Sequence, residues 1–440
     1  MRQNHGNPLD RLIVFGRYPV PGQTKTRLIP LLGSARAADF QRVLTEKTMR
    51  MDKAFVARQE IALETCFEGC SERKLRRWLG APLIFSPQCE GDLGQRMEAA
   101  FREAFQGGCH RVVLHGTDIP GLCAHHLQEA FEALREKDLV LGPSTDGGYW
   151  LIGLKRHVDL FRGLEWGTPA VFAKTLSAAQ HLNLSCHVLK PLTDMDTSEA
   201  VRQWMPEWLE RKPYVSVIIP ALNEAAQIED AIGHARREDA EIIVADGGST
   251  DDTLEKASGA GARIIKASRG RAVQQNEAAA AARGTLLLFL HADTRLPKSY
   301  VSHAFDLFLD PRTILGAFRF RVDSDELRMR IIQFLTNFRS QHLKLPYGDQ
   351  ALFIRKTTFE RAGGFPSAPI AEDLLFVKKL SKIGLVEIAE ADAVTSARRW
   401  LKLGVLRTTM INQLILAGLA MGVSPDSLSR IYRQSKNRED

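Results

Sequence analysis

Short apolar runs separated by amphipathic stretches recur along both halves of the chain. Between the first two runs, apolar residues recur every three or four positions from about Ser34 to Val56, which predicts a long helix. The apolar runs of the first half predict strands at Arg11–Phe15, Glu60–Cys66, Pro82–Phe85, Arg111–His115, Asp138–Leu141 and Tyr149–Gly153. This alternation of strands and helices is typical of a doubly wound sheet.

The same alternation restarts after a polar stretch, Ser198–Arg211, that is followed by Pro213. Strands are predicted at Val215–Ile219, Glu241–Ala245, Ala262–Lys266, Thr285–Leu290, Leu315–Arg321 and Ala351–Ile354. Helices are predicted at Glu224–Arg237, Asp251–Ser258, Arg269–Arg283 and Asp325–His342. We therefore expect an α/β protein with two tandem Rossmann-like domains, each a doubly wound mixed sheet. The expected domains are residues 10–204 and 214–435, joined by a linker at 205–213.

Composition narrows the classes of partner. A length of 440 residues suits two domains, and the net charge of +7 suits anionic small molecules or a membrane surface. Nucleic acid is not expected, because basic and aromatic residues do not alternate. The six cysteines form no CxxC pairs, so we expect neither a zinc site nor disulfides, and a cytoplasmic location. The run Met410–Val423 is too short to span a bilayer; a core or dimer helix is favoured there over a membrane-surface helix.

Acidic residues follow two of the buried strands. His291 and Asp293 follow the run Thr285–Leu290, and Asp118 follows the run Arg111–His115. Open α/β sheets bind ligands at the carboxyl ends of their strands. A carboxylate there can hold a divalent metal, and the metal can hold a diphosphate. The two strand ends therefore predict two domains that handle nucleotides.

Asp246 also ends a predicted strand, and Gly247 and Gly248 follow it. A buried acid at this place is expected to be uncompensated unless it binds a ligand, for which a base or a ribose is suitable. A helix is expected to begin at Ser249 or Thr250. Asn223, which follows another predicted strand, either caps a helix or lies at the mouth of a nucleotide site.

The first half contains a loop rich in proline and glycine, Pro19–Leu28, which presents Lys25 and Arg27. The loop can cradle phosphates, or it is a solvated basic turn. Further along, Asp194 and Asp196 lie two positions apart on an extended segment, so they can share a cation. Alternatively, they precede a helix as part of its cap.

Six motifs of the second half occur in a characteristic order: PALNE, ADGGSTDDT, SRGRAVQQN, LHADTRLP, AED and SARRW. In this order and spacing, residues 214–430 resemble a family-two glycosyltransferase of the GT-A fold. The resemblance implies inverting transfer of a sugar from a nucleotide-diphospho-sugar donor to an acceptor that the sequence does not identify. It also implies a divalent metal, Mg²⁺ or Mn²⁺.

The resemblance assigns a role to residues of each motif. Those that would line the nucleoside pocket or approach the nucleotide are Pro220, Glu224, Asp246 and Arg269 or Arg271. Asp293 would bind the metal, Asp373 would be the general base, and Arg399 and Trp400 would lie near the leaving group. Many members of the family have an acid where this chain has His291. The metal is then held more weakly, held with help from the imidazole, or not essential.

The first half, over residues 10–200, resembles bacterial glycosyltransferase-like proteins related to phospholactate and molybdenum-cofactor guanylyltransferases. The resemblance implies a nucleotidyltransferase-like GT-A fold that binds a nucleoside triphosphate or a nucleotide sugar. Lys25 and Arg27 would meet its phosphates, and Asp118, Asp194 and Asp196 the metal. This domain would activate a substrate for the second, act as another glycosyltransferase, or bind nucleotides without catalysis. Proteins of both types are commonly labelled arsenosugar-biosynthesis glycosyltransferases, although no residue here identifies arsenic chemistry.

Overall fold

The computed structural model describes residues 10–80, 83–210, 212–398, 414–415, 418, 421 and 423–436. The chain divides into two compact units, the first ending at residue 211 and the second beginning at Lys212. Each unit has its own mixed sheet, with seven strands in the first and eight in the second. The predicted fold class, two tandem α/β domains, is therefore confirmed. Within the described parts of the chain, every helix is too short or too polar to cross a bilayer.

The first unit is a sheet with the strand order β3-β2-β1-β4-β6-β5-β7. Its strands are β1 (Asp10–Arg17), β2 (Ile61–Glu68), β3 (Ile84–Pro87), β4 (Arg111–Gly116), β5 (Leu139–Pro143), β6 (Tyr149–Leu154) and β7 (Cys186–Val188). Its helices are α1 (Ile29–Leu32), α2 (Ser34–Val56), α3 (Glu72–Leu79), α4 (Leu93–Gln106), α5 (Ala124–Ala133), α6 (Val171–His181) and α7 (Ser198–Trp204). Strands β1 to β4 are parallel, and β6 is antiparallel to both of its neighbours. The carboxyl ends of β1, β2 and β4 consequently meet at one edge.

The second unit has the strand order β10-β9-β8-β11-β14-β13-β15-β12. Its strands are β8 (Val215–Ala221), β9 (Ala240–Asp246), β10 (Arg263–Lys266), β11 (Leu286–Phe289), β12 (Thr294–Arg295), β13 (Thr313–Val322), β14 (Phe353–Arg355) and β15 (Leu385–Thr395). Its helices are α8 (Ile228–Ala235), α9 (Thr253–Gly259), α10 (Arg271–Ala281), α11 (Tyr300–Leu307), α12 (Leu327–His342), α13 (Lys356–Arg361), α14 (Glu372–Leu380) and α15 (Pro425–Lys436). The parallel strands β8 to β11 bring the ends of β8, β9 and β11 together.

Two predicted helix starts in the second unit were wrong, and one long strand was not predicted. The strand β15 was not predicted, because small and acidic residues interrupt its apolar pattern. In the structure it pairs with β13 and β12. Helix α8 begins at Ile228 rather than Glu224, and α9 begins at Thr253 rather than near Ser249. The residues before both helices form hydrogen bonds between loops, and these bonds replace the first turn of each helix.

Candidate functional site

In the second unit, the loop after β8 is joined to the loop after β9. The Asn223 side-chain oxygen accepts a hydrogen bond from the Thr250 N–H at 2.9 Å, and the Asn223 N–H donates to the Ser249 hydroxyl at 3.0 Å. The Glu224 N–H donates to the Thr253 hydroxyl at 2.8 Å. Asn223 adopts a left-handed backbone, with φ of 56°. It therefore does not cap helix α8, as one interpretation held, but sets the relative positions of two loops at the carboxyl edge of the sheet.

Asp246 ends β9 and is 4% exposed. Its carboxylate accepts backbone hydrogen bonds from Gly248 at 3.0 Å and from Ser249 at 3.1 Å. The expectation of an uncompensated acid was therefore wrong, because the turn that follows the strand supplies its donors. A carboxylate has about four lone-pair directions, so Asp246 keeps capacity to accept a further hydrogen bond from a ligand.

Gln274 on α10 joins the ends of the two strands that carry these loops. Its side-chain amide donates to the carbonyl of Ala221 at 2.9 Å and to the carbonyl of Ala245 at 2.8 Å. Pro220 lies in register with Ala245 on these paired strands. Sequence reasoning missed this role of Gln274, and its place inside the SRGRAVQQN motif was the available signal. The bonds fix the ends of β8 and β9 against α10.

Glu224 and Asp293 lie close enough to influence each other. The guanidinium of Arg398 is 3.2 Å from the Glu224 carboxylate. Burial raises the pKa of Glu224, the charges of Asp293 and Asp251 add to the rise, and Arg398 opposes it. The Asp293 carbonyl accepts a hydrogen bond from the Ser396 N–H at 3.0 Å. Acids from the ends of β8 and β11 thus share one region, next to the segment that carries Arg398.

Asp373 lies near His291, at the start of α14. Its carboxylate accepts a hydrogen bond from the Gly348 N–H at 2.7 Å. A Cβ at Gly348 would lie 2.8 Å from His291 Nε2 and 3.1 Å from Asp373 Oδ2. Ala371, just before the helix, has φ of 58°, a conformation that non-glycine residues adopt at a cost. The fold therefore brings the predicted base and the predicted metal-side histidine close to one glycine.

Glu372 lies beneath Asp373 and is 4% exposed. Arg271 Nη1 is 3.5 Å from its carboxylate. Burial raises the pKa of Glu372, and the neighbouring charge of Asp373 adds to the rise, whereas Arg271 opposes it. Arg271 thus links α10 to the acidic pair, while Arg269 is exposed in the loop before α10.

Two of the predicted catalytic residues, Arg399 and Trp400, lie outside the described residues, as does most of the run 410–423. Among the residues that the structure describes, no three His, Cys, Asp or Glu side chains form a group that can by itself hold a metal ion.

The first unit has a cavity of about 600 Å³ at the carboxyl edge of its sheet. It lies where β1, β2 and β4 end, under the loop of the PVPGQTKTR sequence. The charged side chains that line it are Arg17, Lys25, Arg27, Glu68, Asp92, Arg96, Asp118 and Asp196. A cavity of this size is large enough for a nucleotide.

Lys25 is held by carboxylates within this cavity. Its ammonium is 3.0 Å from Asp118 and 2.5 Å from Asp196, and its side chain is 6% exposed. Burial disfavours the charged ammonium, but the two carboxylates prevail, so the pKa of Lys25 is raised. The interpretation of a solvated basic turn was wrong for Lys25. Arg27, in contrast, is exposed where it lines the cavity.

Asp194 shows how crowded with negative charge this region is. Burial, together with the charges of Asp146, Asp196 and Asp118, raises the pKa of Asp194 to about 6, and Lys25 only partly offsets the rise. Asp146 was not among the candidates that the sequence suggested. The two acids predicted to share a cation therefore belong to a group of four, beside the ammonium of Lys25.

A polar stripe on α2 supports the segment that leads to Asp118. The Gln41 amide donates to the Thr117 hydroxyl at 2.9 Å, and the Thr48 hydroxyl donates to the Thr117 carbonyl at 3.3 Å. His115 Nε2 lies 3.3 Å from Asp52, and both side chains are fully buried. Burial lowers the pKa of His115, but Asp52 outweighs burial and the pKa is raised. These polar residues of one helix face were the signal that sequence reasoning missed.

Comparisons with known proteins agree with the division into two units. Residues 50–168 match the family described as "Uncharacterized protein conserved in bacteria (DUF2064)", and residues 216–365 match the family described as "Glycosyl transferase family 2". A PGL/p-HBAD biosynthesis glycosyltransferase from Mycobacterium tuberculosis is 39% identical over 94 residues, which are 19% of this chain and 37% of that protein. The chain thus spans well under half the length of the curated relatives it matches.

Solved structures are similar to parts of the chain. One is a putative nucleotide-diphospho-sugar transferase from Desulfovibrio desulfuricans G20, with 31% identity, a TM-score of 0.41, and coverage of 46% of this chain and 93% of that chain. Another is the mannosyltransferase PcManGT from Pyrobaculum calidifontis, in complex with GDP-Man and Mn²⁺. It has 22% identity, a TM-score of 0.34, and coverage of 42% of this chain and 57% of that chain.

Proposed function

Because the chain carries a glycosyl transferase family 2 domain in its C-terminal half, after a DUF2064 domain, we propose that the C-terminal domain transfers a sugar with inversion. The donor is a nucleotide-diphospho-sugar and the acceptor is a hydroxyl. The observation that carries this proposal is the placement of Asp373 next to Gly348 and His291, while Glu224 and Asp293 are close neighbours at adjacent strand ends.

Asp373 is the general base of the proposed reaction. Its carboxylate takes the proton of the acceptor hydroxyl as the hydroxyl oxygen attacks the anomeric carbon. The bond between that carbon and the diphosphate oxygen breaks, and the nucleoside diphosphate leaves. The hydrogen bond from Gly348 holds the Asp373 carboxylate in place during the proton transfer. Inversion follows because the acceptor attacks the face opposite the departing diphosphate.

The donor is held at the carboxyl edge of the sheet. Pro220, Glu224 and Asp246 line the nucleoside side of the donor site. The Asp246 carboxylate can still accept a hydrogen bond, which suits an N–H of the nucleobase or a hydroxyl of the ribose. Arg271 pairs with Glu372, the residue before the general base Asp373, and approaches the nucleotide. Arg269 lies near Arg271 in the sequence and also approaches the nucleotide. Arg399 and Trp400 are proposed to lie near the leaving group.

The family implies a divalent metal, and the residues present fit one. Mg²⁺ and Mn²⁺ that act on nucleotides are commonly held by one or two protein side chains together with phosphate oxygens and water. Asp293 would hold the ion and His291 would assist, with phosphate oxygens and water as the other ligands. A bound ion would neutralise the charge that develops on the departing diphosphate. Asp293→Ala should therefore weaken donor binding in the presence of metal, with little change in its absence.

Turnover of purified protein against a panel of nucleotide sugars tests this function, with release of free nucleoside diphosphate as the readout. Release with at least one donor, lost on adding EDTA and in Asp373→Asn, is expected. The matched control is Asp325→Asn, which changes an exposed acid of the same unit. Lack of release with every donor, in protein that binds none of them, would contradict the proposal.

We also propose that the N-terminal domain binds a nucleoside triphosphate or a nucleotide sugar in its cavity. The cavity presents three arginines, Arg17, Arg27 and Arg96, of which Arg17 and Arg96 are ion-paired with Glu68. Guanidinium groups are suited to binding phosphate oxygens in pairs. The proposed role is activation of a substrate that the C-terminal domain then uses.

Asp118 and Asp196 line the same cavity, and Asp194 lies near them. Burial, with the charges of these acids, raises the pKa of Asp194, and a divalent ion that also takes phosphate oxygens and water as ligands would relieve the repulsion. Calorimetric titration with nucleotides, with and without Mg²⁺, tests binding. Pyrophosphate release from a triphosphate and a sugar phosphate would identify nucleotidyl transfer. Nucleoside diphosphate release that persists in Asp373→Asn, in which the C-terminal base is disabled, would identify a second glycosyltransferase. Binding without either product would identify a non-catalytic module, and no binding would contradict the proposal.

A further inference from the structure

Helix α12 presents an apolar face to solvent. Its exposed apolar side chains are Leu327 (72% exposed), Ile331 (52%), Phe334 (67%), Leu335 (54%) and Phe338 (50%). Their spacing of three and four positions places them in one stripe along the helix. An apolar stripe of this extent on a soluble protein commonly marks a site of contact with a protein or a membrane.

The opposite face of α12 is firmly packed, so the stripe is not the result of a loosely held helix. Met329 is fully buried in a cluster with Phe320, Val322 and Ala397. The Asn337 side chain forms two hydrogen bonds with the Phe320 backbone, at 2.8 and 2.9 Å. The helix is therefore fixed to β13 on one side while its second apolar face points outward.

The same helix is connected to the turn that holds Asp373. The Ser340 hydroxyl donates to the Gln350 side chain at 2.6 Å, and the guanidinium of Arg339 lies 3.5 Å from the centre of the Tyr347 ring. Gly348, between those two partners, donates its N–H to Asp373. The apolar stripe and the proposed base thus belong to one connected group of residues.

The helix α12 itself contains Arg328, Arg330 and Arg339 and no acidic residue. Asp325 and Glu326 directly precede it, and Lys344, which follows it, pairs with Glu387 at 3.2 Å. Arg328 and Arg330 are exposed near the apolar stripe. Helices that lie on membranes combine a broad apolar face with arginine and lysine beside it, because the basic groups meet anionic head groups while the apolar face enters the acyl region.

We propose that helix α12 docks by its apolar face on an anionic lipid bilayer and brings the Asp373 site to that surface. Given the glycosyl transfer proposed above, on which this inference rests, the acceptor hydroxyl belongs to a molecule held in the bilayer. The contacts of Ser340 with Gln350 and of Gly348 with Asp373 connect the docking helix to the turn that holds the base. Phe334 and Phe338, the two aromatic residues of the stripe, contribute most of the docking.

Sedimentation with lipid vesicles tests the docking face. The full-length protein is mixed with vesicles of phosphatidylcholine alone or with phosphatidylglycerol added. We expect binding to the anionic vesicles, and at least about a tenfold loss of binding in Phe334→Ser/Phe338→Ser, since a buried phenyl ring is worth about tenfold or more. Ile383→Ser is the matched control, because Ile383 is 66% exposed but lies outside α12, and its binding should equal that of the wild type.

A second readout separates this inference from the proposed function. Release of nucleoside diphosphate from the donor, measured without vesicles, should be the same in the wild type and the double variant. Donor turnover without vesicle binding by the wild type would overturn the docking and leave the proposed function standing. Vesicle binding without any donor turnover would instead count against the proposed function. A wild-type dimer that the double substitution converts to a monomer, with no vesicle binding, would also overturn the docking.

Discussion

Asp373 accepts a hydrogen bond from the backbone N–H of Gly348, with 2.7 Å between the two atoms. The bond joins the start of α14 to the turn that follows α12, two segments that are 25 residues apart in sequence. His291 comes close to the same glycine from the end of β11. The proposed base is therefore positioned by backbone rather than by a mobile side chain, and several consequences can be measured.

Substitution Asp373→Asn should abolish the base while keeping the shape of the side chain. We expect kcat to fall by about 10²–10⁴-fold, which is the usual contribution of a general base. The affinity for the donor should remain nearly unchanged, because Asp373 acts on the acceptor. Steady-state kinetics and calorimetric titration with the donor check these outcomes. A comparable loss of donor affinity would remove Asp373 from the role of base.

Substitution Gly348→Ala should damage the site without a backbone penalty. The added Cβ would lie 2.8 Å from His291 Nε2, closer than side chains tolerate, so either His291 or the turn must move. We expect a fall in kcat of about tenfold or more, since small displacements of a catalytic group are costly. Adding His291→Ala to the same chain should recover part of the Gly348→Ala loss, relative to the effect of His291→Ala alone.

Gly233→Ala provides the control for that experiment, because nothing lies within 4 Å of its added Cβ on helix α8. It should leave activity unchanged and stabilise the helix by about 0.5–1 kcal/mol. If Gly348→Ala is as active as Gly233→Ala, the close approach of His291, Gly348 and Asp373 is not part of the active site.

Substitution Asp194→Asn should stabilise the protein at neutral pH in the absence of divalent ions. The pKa of Asp194 is raised from 3.8 to about 6, so the folded protein holds this proton more tightly than the unfolded chain does. Its contribution to stability is present below pH 3.8 and is lost as the pH rises through about 6. The variant should melt at a higher temperature than the wild type at pH 7.5, and the difference should shrink towards pH 4.

Calorimetry in EDTA measures that difference. Asp159→Asn is the control, because the Asp159 side chain is 58% exposed and lies outside the cavity. Equal melting temperatures of Asp194→Asn and the wild type at pH 7.5 would show that neither burial nor the neighbouring carboxylates destabilise the charged Asp194 in solution.

Substitution Asp52→Asn should destabilise the first unit. It leaves the fully buried His115 without its carboxylate, and breaking a buried ion pair on one side typically costs about 3–5 kcal/mol. The raised pKa of His115 means that the wild type loses stability as the pH rises through that pKa, above its ordinary value of 6.5. The variant should lack this pH dependence.

Chemical denaturation between pH 6 and 9 checks both effects. Glu72→Gln on α3 is the comparison, because its ion pair with Arg76 is exposed on both sides and should contribute about 1 kcal/mol or less. A small effect of Asp52→Asn, equal to that of Glu72→Gln, would contradict a buried charged pair.

Regular elements with an uninterrupted apolar period were predicted well. Helix α2 runs from Ser34 to Val56 as predicted, and strand β8 begins at the predicted Val215. Such elements are specified by residues a few positions apart. Strand β15 was missed because its Glu and Asp residues alternate with small side chains, and its pairing with β13 comes from distant residues.

The partners of the site residues were not predictable in the same way. Lys25 is 93 positions from Asp118 and 171 positions from Asp196, so nothing in the local pattern indicates that these three groups meet. Asp246 is the reverse case, since its donors lie two and three positions further along the chain. That turn was visible in the sequence, but the direction of its N–H groups was not.

The order of residues along the chain determines three features of this protein: two α/β domains, acids at the ends of parallel strands, and a family-two arrangement of motifs. Local periodicity and short motifs suffice for them, because they depend on neighbours in sequence. The tertiary structure decided three others: the contact of Lys25 with two carboxylates, the approach of His291 and Asp373 to Gly348, and the outward apolar face of α12. Each depends on which distant segments share a sheet edge or a helix face, and packing of the whole domain determines that.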